Sequence, residues 1–142
     1  MASFLYTPFA TNLLSGKNID LDTDTIKIAL VSSSYTPDKT HDFFNDITNE
    51  VTGTGYTAGG ATLASKTVTQ DNTNFRTIFD AADATWSNST ITARYAVIYE
   101  STGVAATSPL IALIDFGSNI STVAETFQVP FNVDGILKLS IV

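Results

Sequence analysis

Alternating apolar and polar positions dominate this chain and mark it as strand-rich. Ile26, Ile28 and Leu30 alternate with Lys27, Ala29 and Val31, which predicts a strand with one face on a core. Two-residue alternation recurs over residues 61–70 and 75–80, the second stretch placing Phe75, Thr77 and Phe79 on one side. Over residues 90–100, Tyr95, Val97 and Tyr99 oppose Arg94, Ala96 and Ile98, the pattern of a strand buried on both faces. Residues 110–116 form a nearly continuous apolar strand, after which Gly117 and Ser118 are expected to turn the chain. Val123, Phe127, Val129, Phe131 and Val133 predict a further strand over residues 123–133, with Pro130 requiring an edge or a bulge. A last strand over residues 135–142 places Leu137, Leu139 and Ile141 on one face, with the end of the chain expected to pair into a sheet.

Helical spacing is confined to the first third. Leu5, Phe9, Leu13 and Leu14 predict a short helix within residues 4–14, with Pro8 in its first turn and Gly16 as C-cap. Thr40 is expected to N-cap a second helical stretch over residues 41–50, turning Phe43, Phe44 and Ile47 inward. The string GTGYTAGG at residues 53–60 reads as a loop, and DAADATWSNST at residues 80–90 as an interruption between strands. Together these elements predict a mainly β, single-domain antiparallel β-sandwich or small barrel with a short N-terminal helix, spanning residues 1–142. No internal repeat or linker divides it.

Composition strengthens the β reading: only 15% of the residues are charged, against about 25% in soluble domains at large. Surface polarity therefore falls to Thr, Ser and Asn, which suit strands and turns. A net charge of −7 with seven Lys and Arg leaves no basic stripe for phosphates and disfavours nucleic acid and anionic membranes as partners. The absence of cysteine excludes disulfides and thiolate chemistry. The first residues lack the basic and unbroken apolar regions of a signal peptide, and no apolar run nears the ~18 residues of a membrane helix, so a soluble chain is expected.

Candidate chemistry is sparse. Asp20, Asp22 and Asp24 resemble the opening of a calcium loop, but the required Gly and Glu are replaced by Thr25 and Val31, which favours a solvated turn over a weak cation site. Gly53, Gly55, Gly59 and Gly60 match neither a dinucleotide fingerprint nor a P-loop, and are expected to form a tight loop that lets Tyr56 pack. His41 has Asp42 beside it but no nucleophile elbow anywhere in the chain. Glu100 and Asp115 end apolar strands and are the one pair suited to test for glycoside hydrolysis. No catalytic residue, metal site or cofactor is expected. Tyr56 and Trp86 admit two readings, a contact surface or packing over the end of the sandwich.

The segments LYTPFATNLLSGKNIDLDTDTIKIALV, HDFFNDITNEVTGTGYTAGGATL, TWSNSTITARYAVIYESTG and SPLIALIDFG resemble a family of small structural proteins of tailed bacteriophages and prophages. That resemblance implies a virion protein assembled in the host cytoplasm, a capsid decoration or cement protein, or else a tail, neck or receptor-adhesion component. Its implied partners are the major capsid protein or other virion proteins and further copies of itself, as a trimer or other small ring. Candidate contact residues are Phe4, Leu5, Phe9, Tyr56 and Trp86. The stretch from Phe4 to Leu14 suits either an arm reaching a neighbour or a helix packed on its own sandwich.

Overall fold

A computed structural model describes residues 2–17 and 19–141. It is mainly β, with antiparallel sheets and one short α-helix near the N-terminus. The described strands are β1 (Phe4–Leu5), β2 (Ile26–Val31), β3 (Ala61–Thr62), β4 (Thr67–Asp71), β5 (Arg76–Asp80), β6 (Ala84–Ser89), β7 (Thr92–Glu100), β8 (Leu110–Ser121), β9 (Glu125–Val129) and β10 (Leu137–Ser140). Helix α1 is Thr7–Leu14. A five-stranded sheet runs in the order β1-β8-β7-β2-β3; β10-β5-β4 and β6-β9 form two smaller sheets.

The large sheet is built on strands whose two faces are both apolar. On β7, Ala96 and Ile98 enter one core cluster while Tyr95, Val97 and Tyr99 enter another. On β2, Ile26, Ile28 and Leu30 join the first cluster, and Ala29 and Val31 the second. The first cluster also takes Phe79 of β5, Ala84 and Trp86 of β6, and Phe127 and Val129 of β9, so both small sheets pack on that side. Tyr6, Tyr35, Phe44 and Ile47 line the second, so turns and loops from the first third of the chain cover the opposite face.

Helix α1 starts later than its spacing suggests. Phe4 and Leu5 are drawn into β1 opposite Leu113 and Ala112, and Pro8 then enters the first turn, where its missing N–H is harmless. At the other end Gly16 takes φ +68, Lys17 N–H donates to Asn12 O and Gly16 N–H to Leu13 O, a Schellman closure.

Residues 41–50 do not form the helix expected of them. Their backbone groups are taken by neighbouring segments: Leu110 N–H donates to Asp42 O, Phe44 N–H to Ser108 O and Ser32 N–H to Asn49 O. Only Phe44–Asp46 coils, as a single 3-10 turn, and the Thr40 hydroxyl donates to Asp38 instead of capping a helix. Tertiary pairing outweighs local propensity there. The same effect creates an unexpected strand over residues 80–90, where β6 forms because Ala84, Thr85 and Trp86 pair with Val129, Gln128 and Phe127.

Further boundaries shift for local reasons. Ser65 at φ +53 splits residues 61–70 into β3 and β4, and Phe75 at φ +53 belongs to the β4–β5 turn, 68% exposed, instead of the inner face of a strand. Gly117 does not turn the chain. It sits at φ +82 in a bulge of β8, where residues 116–119 oppose Arg94 alone, and the strand runs on to Ser121. Val123 and Val133 lie outside β9 and are exposed: the strand begins only at Glu125, after Ala124 at φ +51, and stops before Pro130. In the last strand Leu137 is half-buried but Leu139 and Ile141 are exposed. The expected pairing of the chain end involves Val142, which lies outside the described residues.

Candidate functional site

The polar side chains with chemical potential are largely committed to backbone and to one another. Tyr56 sits in the 53–60 loop, and its hydroxyl accepts from Leu30 N–H (2.9 Å) while donating to Glu50 Oε1 (2.7 Å). The same carboxylate oxygen accepts Gly59 N–H at 2.6 Å, and Tyr99 donates its hydroxyl proton to Gly59 O at 2.7 Å. The loop thus caps the part of β2 that the two-residue β3 leaves unpaired. It can approach only because Gly60, at φ +77, has no Cβ: one placed there would collide with the Ile28 carbonyl. Burial pushes the hydroxyls of Tyr6, Tyr56 and Tyr99 up, Tyr99 to about 12, with Tyr35 raised in the same direction.

The acidic turn closes on itself. Asp24 N–H donates to Asp20 O (2.8 Å) and Asp20 N–H to Asp24 Oδ2 (2.7 Å), while Lys66 Nζ donates to Asp24 O at 2.6 Å. The Asp20 and Asp22 carboxyls share a hydrogen bond, which holds Asp20 below the usual carboxylate range and Asp22 above it. No group of three His, Cys, Asp or Glu residues among the described ones is placed to hold a metal ion. His41 Nδ1 lies 2.8 Å from the hydroxyl of Tyr35, a buried core residue.

Glu100 and Asp115 are not brought together. Asp115 pairs with Tyr95, and Glu100 stands five positions further along β7, roughly 16 Å at ~3.3 Å per residue, beyond the reach of paired glycosidase carboxyls. Asp115, its side chain 1% exposed, accepts Arg94 Nε at 2.8 Å and is held below its ordinary range chiefly by that guanidinium. Glu100 hydrogen-bonds Asp24 and is raised, chiefly by burial.

The candidate contact residues divide. Phe9 is fully buried and Trp86 is 6% exposed, its ring edge-to-face with Phe127 at 6.0 Å; neither can offer a surface to a partner. Tyr56 is half-buried against Trp86. Phe4 is half-buried, edge-on to Tyr6 with Lys39 Nζ over its ring, and Leu5 alone of the five is substantially exposed, at 42%.

The exposed apolar surface lies elsewhere. A groove of about 610 Å³ runs between the end of α1 and the β10-β5-β4 sheet, with Phe79 and Leu137 in its floor and Leu13, Val68 and Leu139 at its rims. Leu14 projects beyond it, and Phe75 and Ile141 lie side by side at the far end of the same sheet, joined by Ile141 N–H to Phe75 O. One signal for this surface was available in the chain: on a two-turn helix, adjacent Leu13 and Leu14 cannot both face a core. No helix among the described residues is long and apolar enough to cross a membrane.

No protein-family model, curated protein or solved structure matches the chain.

Replacing Tyr56 by Phe removes two hydrogen bonds from a partly buried carboxylate and the Leu30 amide, and a loss of about 1–3 kcal/mol in urea unfolding is expected. A loss under ~0.3 kcal/mol would show that the loop is not held through this hydroxyl. Because burial favours the neutral phenols, their contribution is intact below the ordinary tyrosine value near 10 and is lost as pH rises through about 12 for Tyr99. Absorbance at 295 nm should therefore show Tyr6, Tyr56 and Tyr99 un-ionised at pH 11 while strand circular dichroism persists. Full ionisation of all five tyrosines at pH 11 in a folded chain would contradict this.

Proposed function

We propose that the chain is a structural component of a tailed-phage virion, a capsid decoration or cement protein that stabilises the head by protein–protein contacts and works as a small homo-oligomer. The observation that carries this reading beside the sequence resemblance is the gathering of exposed Leu13, Leu14, Val68, Phe75, Leu139 and Ile141 on one helix end and one small sheet. Lys17, Asp20, Asp22 and Thr77 also line the groove, with the Asp20 and Asp22 carboxyls hydrogen-bonded to each other, and exposed apolar surface gathered in this way supports a contact site.

A non-enzymatic role is supported by where the reactive groups are committed. Glu50 holds a loop, Asp115 holds Arg94, and His41 is hydrogen-bonded to Tyr35. Contacts with the major capsid protein or other virion proteins require only surface and charge, and seven net negative charges would steer docking toward a basic patch. A tail or neck position is the alternative. Receptor adhesion through Tyr56 and Trp86 has less support, because both side chains pack within the chain.

Cryo-electron microscopy of purified particles of the source phage, with mass spectrometry of their proteins, tests the reading. Copies repeated regularly over the shell, with the α1 and β4-β5-β10 groove at a contact, are expected. A few copies at one tail end would replace decoration by the tail reading, and absence from the particle would overturn a structural role.

A further inference from the structure

Sheet edges expose unpaired N–H and C=O groups, and proteins shield them with charges, prolines, bulges or shortness. Most edges among the described residues carry such a device. Edge strands β1 and β3 are two residues each; β10 has Lys138 within it; β6 is irregular between Trp86 and Ser89; β9 begins at Glu125 and stops before Pro130. Past Asp115, β8 is bulged.

Strand β4 is different. Thr67, Val68, Thr69 and Gln70 are exposed, uncharged and free of Pro and Gly, and β4 pairs with β5 in five consecutive registers without a shift. Thr and Val favour the strand conformation, so this edge is straight and prepared for another strand. The charges at its ends are held within the chain, Lys66 on Asp24 O and Asp71 on Arg76, and leave the strand between them neutral.

We infer that β4 is a self-pairing edge, joining a second copy of the chain antiparallel about a two-fold axis at Thr69 to make a continuous six-stranded sheet. In that arrangement Thr69 faces its own copy, Val68 lies opposite Gln70 and Thr67 opposite Asp71, so no like charges meet across the seam. A parallel copy would set Lys66 against Lys66 and Asp71 against Asp71. The antiparallel register also keeps both copies' Val68 on the face shared with Phe79 and Leu137, so the two apolar grooves join across the seam. Such a contact is isologous and closed, which limits association to a pair and prevents a filament. The net charge of −7 on each copy opposes it, so pairing strengthens as salt screens the repulsion. It goes beyond the virion reading and rests on the edge alone: a phage particle lacking this chain would leave it intact.

Sedimentation of the full chain over a concentration series tests the pairing. Approach to twice the 15.2 kDa chain mass is expected by about 100 µM, the regime of small interfaces. Thr69→Lys, which puts like charges on the axis, should weaken the dimer at least tenfold with circular dichroism unchanged. The chain has no cysteine, so Thr69→Cys gives a single thiol that should form an intermolecular disulfide on mild oxidation, whereas Lys138→Cys on the shielded edge should not. A chain that stays monomeric leaves the edge to a different protein and overturns the self-pairing; so does a trimer, a dimer indifferent to Thr69→Lys, or equal cross-linking of the two cysteine variants.

Discussion

Burial of β7 on both faces is the constraint from which the rest of the architecture follows. Ala96, Val97 and Ile98 are all fully buried, yet consecutive side chains of a strand point in opposite directions. Two cores are therefore required, one on each side of a single sheet. The chain is too short to supply a complete second sheet for each face. It covers one side with the β10-β5-β4 and β6-β9 pieces and the other with α1's approach, Tyr35 and the residues around Phe44, whose ring stacks on Tyr99 at 4.1 Å.

Irregular cover brings a second difficulty, since loops carry backbone groups that strands would otherwise pair. Here polar side chains take over that work. The Tyr56 hydroxyl accepts Leu30 N–H on the open part of β2, Glu50 accepts the Tyr56 hydroxyl and Gly59 N–H, Asp46 accepts the Asp42 and Phe43 amides, and Asp83 accepts Phe131 N–H. Among the described residues no buried side-chain nitrogen or oxygen lacks a partner. Groups so engaged hold the fold in place.

The central strands were readable from the chain because their apolar periodicity is strong and independent of context. β2, β7 and the first half of β8 are instances, as is the Gly16 helix stop. Periodicity misled where a partner decides the outcome. Asp, Asn and Ser surround Trp86 and hide a strand that exists only because Phe127 and Val129 lie opposite. The residues 41–50 carry inward aromatics at helical spacing, yet their amides and carbonyls belong to neighbouring segments. The candidate surface was legible only in part. Large aromatic residues drew attention to Phe9 and Trp86, which the two-sided sheet consumes, whereas the exposed groove is built from aliphatic residues of distant segments whose common face emerges only after pairing.

Amide hydrogen exchange of the native chain, resolved by segment, measures most directly whether a two-sided central strand carries the fold. Amides of β7 and of its partners in β2 and β8 should exchange only through global unfolding, with β4, β10 and the 53–60 loop opening at lower free energy. Protection of β7 no greater than that of β10 would contradict a structure organised around it.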